Sequence, residues 1–270
     1  MHSPGSHGRS RWRWLDYAPC FRCHWTLGLQ ILIFNLAVLL GATAQGLTGF
    51  GSGTLTLSVL VMFFSFKDVL PIVALAALAT NIVLGLLSRR EFDWRRGPIA
   101  AAGLAVGVIV GAQLLTVLPV DILQRALGAA ILCYVAINLF KTPAPRAMPR
   151  LGWGDASGLG ASALFSGVIV GAVGVSPVPL LIYTNMRYPK QFSRSILTMS
   201  FIVGSTVQAI VYTQLGVLTP AHWLMALAVL PAVMIGLGIG HRLHYRVDQK
   251  TFSRVLAVLL VVPALRLISS

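Results

Sequence analysis

Long apolar runs separated by short polar connections make up most of the chain of 270 residues. After a polar N-terminal stretch, the runs cover approximately residues 28–45, 54–66, 69–88, 97–118, 122–140, 158–174, 178–186, 195–214, 222–240 and 251–268. The second and seventh runs are too short to cross ~30 Å of hydrocarbon at 1.5 Å per residue. We therefore predict an all-α polytopic membrane protein with about eight spanning helices and two short re-entrant segments or half-helices.

Each short run follows a glycine-rich break in the apolar pattern. The first break is residues 41–53, GATAQGLTGFGSG, and the second is residues 167–179, GVIVGAVGVSPVP. At a constant offset of 125 residues, three positions of the first break fall on three positions of the second: Gly46, Gly49 and Gly51 on Gly171, Gly174 and Ser176. Two matching breaks suggest a duplicated transporter.

The correspondence continues beyond the breaks. At the same offset, residues 80 and 81 fall on residues 205 and 206, and Gly107-x-x-x-Gly111 matches Gly236-x-x-x-Gly240 at an offset of 129. Both Gly-x-x-x-Gly motifs are typical of close helix packing. The pattern predicts a basic extension at 1–27, a first membrane repeat at 28–140, a cytoplasmic linker at 141–157 and a second repeat at 158–270. A chance alignment of small residues is the alternative.

Composition and charge agree with a membrane protein. The chain is 56% hydrophobic and 10% charged, whereas a soluble domain has about 25% charged residues. The net charge of +14 is not concentrated in a patch interleaved with aromatics, so we expect no nucleic-acid partner. Instead, the connections at 89–96, 141–155, 187–194 and 241–254 hold fourteen basic residues, and those at 67–68, 119–125 and 215–222 hold two. The positive-inside rule places the first group in the cytoplasm.

Equivalent connections of the two repeats fall on opposite sides by this rule. The basic connection 89–96 corresponds to 215–222, which has no charged residue. This predicts inverted repeats, an architecture of secondary transporters, in a cytoplasmic or inner membrane. The sides assigned to these connections place both termini outside. The four arginines before residue 27 favour the cytoplasm instead, so the side of the N-terminus stays open.

The extension at 1–27 contains Cys20-Phe21-Arg22-Cys23-His24, which matches the C-x-x-C-H pattern of covalent haem attachment. Haem would also need a second ligand and a folded apolar pocket, which a short tail does not supply. We therefore predict a loosely held extension without a cofactor or metal, and a thiol role stays open. The sequence has neither H-E-x-x-H nor G-x-S-x-G, so we expect no enzyme. An intramembrane redox enzyme or hydrolase remains the alternative.

The two breaks are the predicted substrate site. Glycine allows backbone angles closed to other residues, and the start of a half-helix presents unpaired N–H groups and a positive dipole end that suit an anion. All seven acidic residues lie in connections, the tail or helix ends, which disfavours a cation site. The predicted substrate-binding residues are Gln45, Gly46, Thr48, Gly49, Gly51, Gly53, Thr54, Asn81, Gly171, Gly174, Ser176, Pro177, Pro179, Ser205 and Thr206.

Each of these residues also has an ordinary structural interpretation. Serine and threonine often bond carbonyls of their own helix, and glycine often serves close packing. Ser52, Thr80 and Gln208 are further candidates for hydrogen bonds to a substrate. Arg194, at the start of a helix after the second break, is either a residue that steers anions or one of the basic residues of a cytoplasmic connection.

Residues 45–51, QGLTGFG, together with residues 174–183, GVSPVPLLIY, and residues 192–195, FSRS, resemble the TauE/SafE sulfite-exporter family. The resemblance covers approximately residues 28–268 and implies a permease for sulfite, organosulfonates or related small anions, without a bound cofactor. Where the second half of the family commonly reads glycine-glycine-proline-proline, this chain has Ser176-Pro177-Val178-Pro179. A membrane subunit of a larger transport or assembly complex is the alternative function.

Overall fold

A computed structural model describes residues 27–49, 51–89, 92–139, 152–175 and 177–243 of the protein. Within these ranges all regular secondary structure is helical, which confirms the predicted all-α class. The helices are α1 Leu27–Thr48, α2 Ser52–Leu60, α3 Phe66–Ser88, α4 Gly97–Val117, α5 Val120–Leu139, α6 Trp153–Val173, α7 Val178–Arg187, α8 Lys190–Gln214 and α9 Pro220–Leu243. The cysteine cluster at 20–24 and the apolar run at 251–268 lie outside the described residues.

Six helices in the described part of the chain are long and apolar enough to cross a membrane: α1, α3, α4, α6, α8 and α9. The chain is therefore a multi-pass membrane protein. The two short elements have the predicted character, since α2 has 9 residues and α7 has 10. α5 is 20 residues long but has Asp121 in its first turn and is not among the six.

Several helices begin or end away from the edges of the apolar runs. α8 begins at Lys190, five residues before its apolar run, and α6 begins at Trp153, inside the predicted linker. Polar residues can form the first turn of a helix that emerges from the bilayer, so hydropathy alone places these starts too late. α2 ends at Leu60 and is followed by a turn, so it is shorter than its run.

The helix order repeats along the chain. In each half, a long helix is followed by a break, a short helix and two further long helices, first as α1–α4 and then as α6–α9. The equivalent glycines Gly49 and Gly174 both follow the first long helix and both have positive φ, 87° and 73°. The two halves are therefore alike in their helix order as well as in their sequence pattern.

The longest helix contacts cross between the halves, because α4 packs along α6 and α1 packs along α9. Glycines make both contacts close. A Cβ added to Gly107 on α4 would lie 2.8 Å from the Cα of Gly167 on α6, and one added to Gly240 on α9 would lie 2.9 Å from the Cα of Gly46 on α1. The prediction that the two Gly-x-x-x-Gly motifs serve packing is confirmed.

These contacts divide the described helices into two lobes, with α5 contacting α3, α6 and α7. The first lobe is α1, α2, α3 and α9, and the second lobe is α6, α7, α8 and α4. Each lobe thus combines three helices of one half with the fourth helix of the other. α3 and α8 pack against each other where the lobes meet.

A buried ionic cluster around Asp155 joins α6 of the second lobe to its neighbours. Asp155 is 4% exposed, and its carboxylate accepts a 2.8 Å hydrogen bond from the Tyr188 hydroxyl. The carboxylate also lies 3.6 Å from Nε of Arg96 and 3.4 Å from Nε of Arg187. Burial raises the pKa of Tyr188, so its hydroxyl stays protonated and remains a donor. This cluster holds α4, α6 and α7 together at one end of the lobe.

Candidate functional site

The first break forms where α1 ends and α2 begins. The N–H of Gly49 still bonds to the carbonyl of Gln45 at 2.7 Å, and the chain then turns at Gly49 and Gly51, which have φ of 87° and 100°. These angles lie in the left-handed region that glycine adopts without a Cβ clash. The N-cap residue of α2 is Gly51, which has no side chain, and no side chain of the described residues caps the start of this helix.

The second break forms in the same way between α6 and α7. The N–H of Gly174 bonds to the carbonyl of Val170 at 2.9 Å, and Pro177 stands immediately before the first residue of α7. One early amide of α7 is satisfied, because the N–H of Leu180 donates to Oγ of Ser166 at 2.7 Å. Ser176, which was predicted to be part of this break, lies outside the described residues.

The two breaks meet between the lobes. A Cβ added to Gly53 would lie 3.3 Å from the carbonyl oxygen of Gly174. A cavity of about 60 Å³ lies here, which is enough space for a few water molecules or one small ion. Its lining residues are Gln45, Gly51, Ser52, Gly53, Val73, Ala74, Ala77, Asn81, Leu104, Val170, Gly174, Val175, Pro177, Phe201, Gly204, Ser205 and Gln208.

A chain of hydrogen bonds fixes the polar side of this cavity. Ser52 Oγ donates to Oε1 of Gln45, and Nε2 of Gln45 donates to Oδ1 of Asn81 at 2.7 Å. Nδ2 of Asn81 lies 3.5 Å from the carbonyl oxygen of Phe201 on α8. The network connects α1, α2 and α3 of the first lobe and reaches α8 of the second.

On the other side, Gln208 and Tyr212 of α8 hold the end of α6. Nε2 of Gln208 donates to the carbonyl of Val170 and to the Tyr212 hydroxyl, both at 3.0 Å. The Tyr212 hydroxyl donates to the carbonyl of Gly171 at 2.7 Å. These bonds orient the carbonyls next to the second break, so the cavity wall is fixed from α8.

None of the described residues that line the cavity is charged. Asp155, the acidic residue whose burial the sequence did not reveal, is in the cluster at the end of the second lobe. The cavity can therefore offer amide, hydroxyl and carboxamide groups to a small polar solute, but no carboxylate ligand for a cation.

Comparison with known proteins shows the family of the chain. The model of the family "Sulfite exporter TauE/SafE" matches residues 34–267. The chain belongs to the TauE/SafE family. A protein of Cupriavidus necator named "Probable sulfite/organosulfonate exporter TauE" is 31% identical over 236 residues, which are 84% of this chain and 90% of that protein. No solved structure matches the chain. The family is one of exporters, so the expected class is transport rather than catalysis.

The structure brings together on the cavity of this TauE/SafE protein seven of the predicted residues: Gln45, Gly51, Gly53, Asn81, Gly174, Pro177 and Ser205. Ser52 and Gln208, which were named as further candidates, also line it. Both halves of the chain contribute to the cavity, as their likeness predicted.

Two of the predicted glycines serve helix contacts instead. A Cβ added to Gly46 would lie 3.0 Å from the Cα of Gly240, and one added to Gly171 would lie 2.8 Å from the amide nitrogen of Ala112. Gly49 shapes the first break but is not part of the cavity wall. These positions matter for how the helices approach one another.

Three further predicted residues, Thr54, Pro179 and Thr206, also lie off the cavity. Thr206 is exposed, and its Oγ1 donates to the carbonyl of Ile202 in its own helix at 2.7 Å. Thr54 is fully buried within α2. Thr48 is the last residue of α1, and Pro179 is the second residue of α7.

The apolar part of the wall was not predicted from the sequence. It is formed by Val73, Ala74, Ala77, Leu104, Val170, Val175, Phe201 and Gly204. In α3 and α4 nearly every residue is apolar, so no sequence period distinguishes the side chains facing the cavity from those facing lipid. Gly204 was detectable only as an isolated glycine in a helix.

Proposed function

We propose that the chain is a secondary permease of the cytoplasmic membrane for small sulfur oxyanions, with sulfite and organosulfonates as the substrate class. The observation that carries the proposal is the uncharged, partly polar cavity at which the two glycine breaks meet. The name of the C. necator relative adds the substrate class to this geometry. The proposed binding residues are Gln45, Gly51, Ser52, Gly53, Asn81, Gly174, Pro177, Ser205 and Gln208.

The chemistry of the wall favours an anion over a cation. The start of α2, where the N-cap Gly51 has no side chain, contributes the positive end of a helix dipole. The hydroxyl groups nearby can rotate to donate a hydrogen bond, and the carboxamide NH2 groups can donate to oxygen atoms. A sulfite or sulfonate group would accept these bonds, whereas a metal ion would find no carboxylate among the described lining residues.

Transport by alternating access requires two bodies that move about the cavity. The positive-inside pattern supports inverted repeats, and the packing supports the two lobes, rather than the two sequence halves, as the moving bodies. Within a lobe, glycine contacts hold the exchanged helix in place. Between the lobes, α3 and α8 meet, and both lie on the cavity wall.

The test is flux of labelled sulfite into liposomes that contain the purified chain and no nucleotide. Taurine, sulfoacetate, thiosulfate and acetate serve as competitors. Asn81→Asp keeps the acceptor oxygen for Gln45 but adds a negative charge beside the cavity. At about 6 Å and an effective dielectric constant of about 20, the repulsion of a monoanion is about 3 kcal/mol, so we expect at least a tenfold loss of flux.

Asn185→Asp is the matched control, because Asn185 is exposed at the end of α7 and accepts a bond from Ser193 that aspartate retains. Its flux should equal that of the unaltered chain. Equal flux in Asn81→Asp and Asn185→Asp would refute an anion site at this cavity. Absence of flux or competition by any sulfur oxyanion would refute the substrate class.

A further inference from the structure

Arg194 has a buried atom without a hydrogen-bond partner. It lies in the first two turns of α8, and its Nε is buried and makes no hydrogen bond to any described residue. No carboxylate forms an ion pair with its guanidinium among the described residues. Taking part of a guanidinium out of water without a partner is costly. An anionic ligand would supply the missing partner.

The side chain of Arg194 lies against the first break. A Cβ added to Gly49 would be 3.3 Å from Nε of Arg194 and 3.5 Å from its Cγ. Gly49 is two residues before Gly51, which lines the cavity, so their Cα atoms are at most about 7.6 Å apart. The guanidinium of a second-lobe helix thus lies beside the first-lobe break.

Arg194 also shares a face of α8 with the cavity wall. Phe201, Ser205 and Gln208 line the cavity, and Arg194 and Thr198 precede them at helical spacings of four and three residues. Seven residues of helix from Phe201 back to Arg194 correspond to about 10 Å. Arg194 therefore lies on the same face of α8 as the cavity wall, closer to the start of the helix. The start of α8 is part of the basic segment 187–194.

The equivalent position in the first half of the chain has no charge, although Lys67 lies two residues before it. At the offset of 125 residues, Arg194 corresponds to Val69 on α3, which is fully buried and apolar. A cation therefore stands at only one of the two equivalent positions, on the side that the positive-inside rule assigns to the cytoplasm.

We infer that Arg194 binds the anionic group of the substrate at the cytoplasmic entrance to the cavity. This inference rests on the proposed function and adds a specificity-determining residue to it. A planar guanidinium presents a fork of N–H donors that matches the oxygens of a sulfite or sulfonate group. The substrate would contact Arg194 first and then the amides and carboxamides of the cavity.

Arg194→Gln tests the inference in liposomes and in detergent. We expect the half-saturation concentration for sulfite to rise about tenfold or more, because a charge-assisted bond is lost. Stabilisation of the protein by sulfite against heat should weaken in parallel. If Arg194 served only to neutralise the end of α1, Arg194→Gln would lower the unfolding temperature without sulfite and leave the half-saturation concentration unchanged.

Arg95→Gln is the matched control, since Arg95 is exposed on the same basic side and should change neither quantity. Arg194→Lys keeps the charge but loses the fork, so its half-saturation concentration should rise less than that of Arg194→Gln. If Arg194→Gln does not fold, Arg194→Lys carries the test, and an unchanged half-saturation concentration there overturns the inference.

These measurements distinguish a failure of the role of Arg194 from a failure of the proposed transport function. Suppose that the unaltered chain carries sulfite but Arg194→Gln leaves the half-saturation concentration unchanged. This result would overturn only the role of Arg194. An equal rise of the half-saturation concentration in Arg95→Gln would do the same. If the unaltered chain neither carries nor is stabilised by any of the anions, the proposed function fails and the inference fails with it.

Discussion

Two glycines with the same backbone conformation, one at the cavity and one in the turn after α8, have different surroundings. Gly174 and Gly216 have nearly the same φ, 73° and 72°. A Cβ at Gly174 would collide with the end of the Leu70 side chain, whereas a Cβ at Gly216 would meet nothing within 4 Å. We therefore expect an added Cβ to affect function only at Gly174, where the turn belongs to the cavity wall.

We expect Gly174→Ala to abolish sulfite flux and Gly216→Ala to leave flux unchanged. Both substitutions place a Cβ in the left-handed region and should cost about 1–2 kcal/mol. Gly174→Ala additionally displaces Leu70 beside the cavity. Unfolding in detergent measures the stability of each variant, and liposome flux measures its function. Full flux in Gly174→Ala would show that the geometry of the second break is not required.

The sequence located the glycines at which the chain turns but only part of the side-chain wall. Gly49 and Gly174 were identifiable because they recur at one offset and only glycine fits their φ readily. Thr206, which was predicted to bind substrate, does not line the cavity, and its hydroxyl bonds its own helix. Whether a polar residue in an apolar helix faces a cavity depends on its neighbouring helices, which the sequence pattern does not contain.

At the scale of elements, the contact between α4 and α6 depends on glycine at some positions and tolerates a side chain at others. A Cβ at Gly167 would lie 2.8 Å from backbone atoms of Gly107 and Val108, whereas the nearest atom to a Cβ at Gly160 is a side-chain methyl of Ile99 at 3.8 Å. Backbone atoms cannot move aside without separating the helices.

We expect Gly167→Ala to destabilise the protein by about 1–3 kcal/mol, the usual cost of overpacking. Gly160→Ala, on the same helix, should be neutral or stabilising by up to about 1 kcal/mol, because alanine favours the helix. Denaturant unfolding in detergent compares the two variants. Equal stabilities would contradict the close backbone contact between α4 and α6.

The Asp155 cluster gives a second prediction at this scale. Asp155→Ala leaves the buried guanidinium of Arg96 without one of its two carboxylates, and we expect a loss of about 3–5 kcal/mol. Arg187→Gln should cost less than about 1 kcal/mol, because the Arg187 side chain is 55% exposed. Thermal unfolding in detergent would show this order, and the reverse order would exclude a stabilising role for the cluster.

Hydropathy predicted the existence of the described helices better than their starts. Both short helices were recognised from the length of their runs. The starts of α6 and α8 were placed too late because Trp153–Ser157 and Lys190–Arg194 are polar or mixed in character. The burial of Asp155 was not visible either, since a carboxylate near a helix end is most often solvated.

For the whole molecule, the exchange of helices between halves determines which crosslinks should stop transport. In a cysteine-free background, Gly85→Cys with Ile202→Cys joins α3 to α8 across the lobe interface, where a Cβ at Gly85 lies 3.0 Å from Cγ1 of Ile202. Ile99→Cys with Gly160→Cys joins α4 to α6 within the second lobe, where a Cβ at Gly160 lies 3.8 Å from Cγ2 of Ile99.

We expect oxidation to arrest flux in the first pair and to leave flux in the second pair unchanged, because only the first disulfide connects bodies that move against each other. If the two sequence halves moved as rigid bodies, both disulfides would arrest flux, since both connect one half to the other. Liposome flux before and after reduction distinguishes these cases, and retained flux in the α3–α8 pair would exclude motion at that interface.

The partnership of α1 with α9 has a consequence for biosynthesis. α1 is the first described helix to leave the ribosome. The surface of α1 around Gly46 packs against α9, which is the last described helix. Until α9 has been inserted, that surface can face only lipid or a chaperone. Contacts between such distant segments form late, so a ribosome that stalls after α8 would leave an unfinished chain open to quality-control proteases at its oldest helix.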